Sequence, residues 1–103
     1  MEGVVAAARH IVVDARGEAW VADTGYRVAD IAIDHLVHGF SPVEIRYQHY
    51  GELSLAQIHA ALSFYYDHKA EMDKSMQAEA DYVEEQRSRA GESPIVKKLR
   101  GLS

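Results

Sequence analysis

The six histidines are the residues that most directly suggest metal chemistry in this chain. His35 and His38 are three residues apart, and His59 falls in a segment with helical periodicity. Protein zinc sites usually combine imidazole with thiolates, or use a His-x-x-x-His motif with a nearby Glu. The chain has no Cys and no such histidine motif. We therefore predict that it binds no metal and no cofactor.

An enzyme would need a nucleophile beside a base, or a pair of carboxylates around a substrate. Four carboxylates cluster near predicted turns, where Asp is favoured because it caps backbone amides: Asp14, Asp23, Asp30 and Asp34. Ser41, Ser54 and Ser93 each precede a helical segment and are interpreted as N-caps. Since no nucleophile is paired with a base, the sequence predicts a protein that is not an enzyme.

The C-terminal segment is a basic tip on an acidic chain. Residues 93–103 contain three basic side chains and no acidic one, whereas residues 1–70 contain five basic and nine acidic ones. A helix of this length is unstable alone in water, so we predict a segment that folds on binding a partner; a solvated, disordered end is the alternative. The predicted partner-binding residues are Ile95, Val96, Lys97, Lys98, Leu99 and Arg100.

A short capped helix, a turn containing Gly51 and a second capped helix predict a helix-turn-helix, although an ordinary corner between two helices has the same pattern. The exposed face of the second helix offers few base-reading side chains, chiefly Gln57. DNA binding would therefore require a dimer or a partner that gathers the few basic residues. The candidate DNA-binding residues are Arg27, Arg46, Tyr47, Ser54 and Gln57.

Several aromatic residues between positions 47 and 66 could form a stacking platform for single-stranded nucleic acid. Tyr65 and Tyr66 fall on the predicted core face of a helix, however, so we expect them to pack inside the domain. Phe64 lies on the opposite face beside small Ala residues, which favours a contact between subunits.

Length and composition indicate one small globular domain with an arm. The chain has 103 residues, is 48% hydrophobic and carries a formal net charge of −5, which argues against nucleic-acid binding through bulk charge. The absence of Cys fits a reducing compartment, so we expect a cytoplasmic protein. The apolar run Val4 to Ala8 is too short for a secretion signal, and no segment is long enough to span a membrane.

The predicted elements begin with a β-hairpin, followed by helices. Residues 10–14, with three β-branched side chains, and residues 18–22 predict two short strands around a turn with Gly17. Trp20 is expected to anchor this hairpin on the rest of the protein. Val28, Ile31, Ala32 and Leu36 predict the buried stripe of a first helix.

Three further helices follow that stripe. Residues 41–44, Ser-Pro-Val-Glu, predict a capped start for a second helix, and Ser54 caps a third. The third helix is expected to bury Leu55, Ile58, Leu62, Tyr65 and Tyr66, and to expose the arc that contains Ala60. The helical pattern loses register near residues 67–68, and a fourth, charged helix with little apolar surface then continues to about Arg89.

Three segments resemble the domain of unknown function 433 family: residues 21–28, residues 38–45 (His-Gly-Phe-Ser-Pro-Val-Glu-Ile) and residues 53–68, which begin Leu-Ser-Leu-Ala-Gln-Ile. The resemblance covers about Ile11 to Met76. The family usually has Gly-Thr-Arg-Ile-Pro-Val at positions 23–28, where only Thr24 and Val28 match in this chain.

The resemblance implies a homeodomain-like fold and a VapB-type antitoxin, paired with a PIN-like ribonuclease toxin. In such antitoxins the N-terminal part binds operator DNA as a homodimer, and the C-terminal part blocks the toxin.

These observations lead to a mainly α protein in three parts: an N-terminal arm and β-hairpin (residues 1–27), a tri-helical helix-turn-helix domain (28–68) and a charged helical arm with the basic tail (69–103). The function we expect is that of an antitoxin that neutralises a PIN-like ribonuclease. A stand-alone helix-turn-helix regulator is the alternative, and a dimerisation adaptor without DNA affinity is the third hypothesis.

Overall fold

The computed structural model describes residues 8–90 together with residues 98 and 101. The described chain is mainly helical with a short antiparallel hairpin near its N-terminus, which confirms the predicted fold class. After a 3₁₀ turn, the elements are β1 (Ile11–Val13), β2 (Ala19–Val21), α1 (Val28–Leu36), α2 (Pro42–Gln48), α3 (Leu55–Asp67) and α4 (Lys69–Ala90). Contacts divide the chain into two compact units, residues 1–72 and 73–103.

The hairpin forms because its turn satisfies its own backbone. The Asp14 carboxylate accepts hydrogen bonds from the amides of Arg16 and Glu18, both at 2.9 Å, and Gly17 adopts a φ of +88°. Val12 pairs with Trp20 across the two strands. Alternation along β2 buries Ala19 and Val21 and leaves Trp20 half-buried, so the prediction that Trp20 is the anchor was wrong.

The starts of α2 and α3 are two capping boxes. At α2 the Ser41 hydroxyl accepts from the Glu44 amide at 3.2 Å, and the Glu44 carboxylate accepts from the Ser41 amide at 3.0 Å. Pro42 occupies the first turn of the helix. At α3 the same exchange joins Ser54 and Gln57. These local bonds explain why both helices begin at the predicted residues.

The core lies where the hairpin and the first three helices meet. α3 packs against α1, α2, β1 and the 3₁₀ turn, and α1 also packs against β2 and α2. The buried hydrophobic residues are Ala19, Val21, Val28, Ala29, Ile31, Ala32, Ile45, Leu53, Ile58, Ala60, Ala61, Leu62 and Tyr65. Tyr65 is the largest side chain among those fully buried. The core therefore belongs to residues 19–65.

Four predictions about burial were wrong. Ala60 is buried although it lies opposite Ile58 on the helical wheel, because α3 has neighbours on several sides and a single buried arc does not describe it. Leu36, Leu55 and Tyr66 were expected in the core and are exposed to 45%, 38% and 52%. They lie at the ends of their helices or at the edge of the buried arc.

α4 differs from the other helices because none of its residues, all of which the structure describes, is buried. It begins directly after α3, whose C-cap is His68. The predicted loss of helical register at residues 67–68 and the low apolar content of this helix are both confirmed.

Candidate functional site

The most distinctive surface of the first unit is a groove of about 530 Å³ at the turn between α2 and α3. It is called the α2 groove below, and it is lined by Val43, Arg46, Tyr47, Tyr50, Gly51 and Leu55. Apolar and aromatic side chains predominate in this lining, and Arg46 is its one charged residue. Grooves of this kind on small proteins are typical of interaction sites.

Local sequence explains why these side chains share one face. Val43, Arg46 and Tyr47 follow the i, i+3, i+4 spacing of one face of α2, while Ile45 on the other side of α2 is fully buried in the core. Past the end of the helix, Tyr50 has a φ of +56°, which turns the chain toward α3. The buried Ile45 therefore holds the helix with its aromatic face outward.

The side chains of this groove are unusually open to solvent. Val43 is 65% exposed, Tyr47 82% and Tyr50 92%. Tyrosine and arginine can stack on rings, form cation–π contacts and bind one carboxylate or phosphate. With a single cation, the groove suits an apolar or aromatic ligand better than a polyanion.

Two side-chain contacts between polar groups join residues that are far apart in sequence and hold the turn in place, and a ring contact links the two pairs. The Tyr26 hydroxyl donates to the Glu52 carboxylate at 2.7 Å, and this bond to an anion raises the pKa of Tyr26. His49 Nε2 lies 2.8 Å from Asp34 Oδ2, and the Tyr26 ring meets the His49 ring edge-on at 4.7 Å. Sequence analysis missed both contacts because their partners are 26 and 15 positions apart and share no helical or strand period.

Three of the five candidate DNA-binding residues take part in the structure of the domain itself. Arg27 forms ion pairs with Glu18 at 3.3 Å and with Asp30 at 2.9 Å, and its side chain is only one-quarter exposed. Ser54 and Gln57 cap α3 by reciprocal hydrogen bonds. These roles give each residue a structural reason to be present, and their DNA contacts stay a prediction.

The other two candidates, Arg46 and Tyr47, are brought together in the α2 groove, where both are exposed. The exposed positions of α3 add His59 and Ser63, and the sequence of this helix contains no Lys or Arg. The helix that would read bases in a helix-turn-helix is therefore poor in the cationic side chains that contact nucleic acid.

The second surface of interest is α4. Its outward side chains include Tyr82, which is 62% exposed, and Val83, which is 49% exposed. Arg89 pairs with Glu85 at 2.8 Å and Arg87 with Glu84 at 3.7 Å, both within the helix. Such exposed pairs contribute about 0.3–0.5 kcal/mol each, which leaves the helix with little stabilisation of its own.

The predicted partner-binding tail lies mostly outside the described residues. Lys98 is helical and exposed. The remaining five candidates, Ile95, Val96, Lys97, Leu99 and Arg100, are not among the residues that the structure describes.

Four histidines of the described chain contact other groups of the protein, His49 through Asp34 as given above. His35 Nδ1 donates to the Phe40 carbonyl at 2.9 Å, and the ring of His38 packs on that of Phe40. Phe64, which was predicted to be a subunit contact, is half-buried and stacks on His68 with ring centroids 4.1 Å apart. Among the residues described, no three His, Asp or Glu side chains come together as a metal-binding group.

Comparison with known proteins gives one match. The family described as protein of unknown function (DUF433) matches residues 15–65, which extend from the hairpin turn to the buried Tyr65 of α3. Neither the curated proteins nor the solved structures include a match to this chain. Within the described residues, none of the helices has the length and apolar character needed to cross a membrane.

Proposed function

This chain belongs to the DUF433 family through residues 15–65, and from that premise we propose that it is the antitoxin of a type II toxin-antitoxin system. In this proposal the arm, residues 69–103, neutralises a PIN-like ribonuclease toxin in the cytoplasm. The helix-turn-helix domain, residues 28–68, binds operator DNA as a homodimer and thereby represses synthesis of both proteins.

The observation that supports the antitoxin proposal best is the lack of any buried residue in α4. Helices in proteins are stabilised mainly by the packing of an apolar face, and the 22 residues of α4 lack this packing within the described chain. Tyr82 and Val83 nevertheless project apolar surface into solvent. A toxin that covered them would supply the packing that this chain does not provide.

The basic tail would act on the active site of the toxin. By resemblance to the family, the partner is a ribonuclease with carboxylates that bind divalent metal ions. Lys97, Lys98 or Arg100 would pair with those carboxylates, while Ile95, Val96 and Leu99 enter an apolar groove. Two charge-assisted hydrogen bonds at about 1.5–3 kcal/mol each would be enough to compete with a metal ion there.

Co-expression of this chain with the product of the adjacent reading frame, followed by sizing of the complex and a ribonuclease assay, tests the proposal. We expect inhibition by the full chain and its loss when residues 93–103 are deleted. The triple variant with Lys97, Lys98 and Arg100 changed to Ala should lose most of the inhibition. Its matched control replaces Arg9, Arg16 and Arg46 with Ala, which removes the same charge from exposed positions outside the arm. Full inhibition by the deleted chain would contradict the proposal.

A stand-alone DNA-binding regulator is the second candidate, and the two capped helices α2 and α3, joined by a short turn, favour it. It predicts that the purified chain alone binds a palindromic site with a steep dependence on salt. Arg46→Ala and Gln57→Glu should both weaken this binding. Gln57→Glu preserves the capping box, since Glu accepts the same hydrogen bond, so its effect would report on DNA and not on folding.

A further inference from the structure

The α2 groove has the composition of a protein–protein interface and not that of a nucleic-acid-binding surface. Two tyrosines and one arginine lie among apolar side chains, and none of the lining residues is Lys, Asp or Glu. Tyr and Arg are enriched at the centres of protein interfaces, from which Lys, Asp and Glu are depleted. A surface that follows a DNA backbone would carry several cations instead of one.

The spacing of these side chains makes the face self-complementary. When two copies of a helix pack antiparallel around a two-fold axis, residues whose numbers have the same sum face each other. Within α2, Arg46 faces Tyr47 of the other copy, because their numbers have the sum 93. Tyr50 lies in the turn beyond the helix, at the opposite end of this face from Val43, so an antiparallel copy brings Val43 and Tyr50 together. The smaller apolar side chain thus meets the larger one, and each cation meets an aromatic ring.

We propose that the α2 groove of one chain binds the α2 groove of a second copy in this antiparallel register. Arg46 of each copy lies over the Tyr47 ring of the other, which forms two symmetric cation–π contacts at the centre of the interface. Val43 of each copy packs on Tyr50 of the other. Both copies thus use the same surface patch, as in an isologous dimer.

The single positive charge of the groove favours a second copy of the chain over a nucleic-acid strand as its binding partner. A polyanionic strand would find one cation in the lining, whereas the antiparallel copy matches that cation with the electron-rich face of Tyr47. In this register the two Arg46 side chains each face a tyrosine and not one another. Each copy carries a net charge of −5, so a contact centred on uncharged rings and one arginine also avoids placing carboxylates together.

The interface defined by the groove is small. A standard interface uses about 20–30 residues from each partner, and the groove has six lining residues, so we expect a weak dimer that dissociates at micromolar concentrations.

The inference rests on the homodimer of the proposed function and names its surface. In this dimer Arg46 and Tyr47, which the sequence predicted to contact DNA, contact the second copy instead. Because toxin inhibition is assayed separately, the dimer surface and the antitoxin proposal can fail independently.

Sedimentation velocity of the full chain between about 1 and 500 μM tests this proposal with two variants of one residue. Tyr47→Glu places a carboxylate opposite Arg46 of the other copy, so we expect the dimer to persist and to become sensitive to salt. Tyr47→Arg places a second guanidinium there, so we expect the dimer dissociation constant to rise at least tenfold. Tyr47 is 82% exposed, and neither change disturbs the core, which circular dichroism would verify.

Val12→Glu and Val12→Arg are the matched controls, because Val12 is 52% exposed on β1 and lies outside the groove. Neither control should change the dimer. A difference between the two Tyr47 variants in the expected direction supports the proposed register. The proposal is overturned by a wild-type chain that stays monomeric over the whole range, or by two Tyr47 variants that behave alike. Loss of operator binding by Arg46→Ala in a wholly monomeric protein would instead assign the groove to DNA.

Discussion

Helices α3 and α4 follow each other in the chain and are stabilised by different means. α3 has 13 residues and buries five of them against neighbouring elements. α4 has 22 residues and buries none. The stability of α3 comes from packing, whereas α4 relies on helix propensity and on exposed ion pairs, which contribute little. Two helices that follow each other in the chain therefore draw their stability from different sources.

The largest expected difference is between two single variants, one that removes a tyrosine from α3 and one that removes a tyrosine from α4. Tyr65→Ala empties the site of the largest fully buried side chain and should lower the free energy of unfolding by about 3–5 kcal/mol. Tyr82→Ala removes a side chain that is 62% exposed and should change the free energy by less than about 0.5 kcal/mol. Urea denaturation followed by circular dichroism measures both. Equal effects of the two variants would refute the contrast between the helices.

The next largest effect is expected at the start of α3, where the Ser54 hydroxyl caps the helix. Ser54→Ala removes the hydroxyl that accepts from the Gln57 amide at 3.1 Å and should cost about 1 kcal/mol. Ser63→Ala is the matched control, since Ser63 is exposed within the same helix and Ala is the better helix former. We expect the control to be neutral or slightly stabilising in the same urea titration.

Acid should weaken the first unit through two carboxylates. Hydrogen bonds from the amide and hydroxyl of Ser41 lower the pKa of Glu44, and the indole of Trp20, with the Glu18 amide, lowers that of Asp14. Because the folded pKa is below the unfolded value in both cases, this stabilisation is complete above the ordinary pKa values of 4.5 for Glu44 and 3.8 for Asp14, and it is lost as pH falls through the folded pKa.

Thermal melts between pH 7 and pH 2 measure this loss. Glu44→Gln keeps an acceptor for the Ser41 amide but does not titrate, so its melting temperature should fall less steeply with acid than that of the wild type. A wild-type and a variant curve that stay parallel would exclude a contribution from Glu44.

The smallest effect is expected from the ion pairs of α4. Arg89→Ala removes the 2.8 Å pair with Glu85, in which both side chains are more than half exposed. The free energy of unfolding should change by no more than about 0.5 kcal/mol. Arg27→Ala is the contrasting variant, because Arg27 pairs with Glu18 and Asp30 while three-quarters buried, and we expect the larger loss there. Urea titrations at low and high salt would separate the two, since only exposed pairs are strongly screened.

Much of the fold could be predicted from the sequence because turns and helix caps depend on residues close together in the chain. The hairpin turn around Gly17, the capping residue Ser41 with Pro42, and the break between α3 and α4 all appear where the sequence predicts them. Each depends on residues within about four positions of one another, so the pattern of types along the chain is enough. The matched family region, residues 15–65, covers most of these signals.

The candidate site was predictable only in part. Arg46 and Tyr47 were predicted as DNA-binding residues, but the groove also needs Tyr50 and Leu55, which the turn brings beside them. Periodicity placed Leu55 in the core because a helical wheel does not indicate where the neighbouring helix ends. The exposed position of Leu55 follows from how α2 and α3 meet.

The sequence by itself determined where helices and strands begin, which residues cap them and that α4 has little apolar surface. Only the tertiary structure decided that Ala60 is buried, that Arg27 is held by Glu18 and Asp30, and that His49 meets Asp34. The reason is the range of the interactions. Caps and turns join near neighbours in the chain, whereas burial and side-chain pairing depend on elements that the sequence separates and the fold brings together.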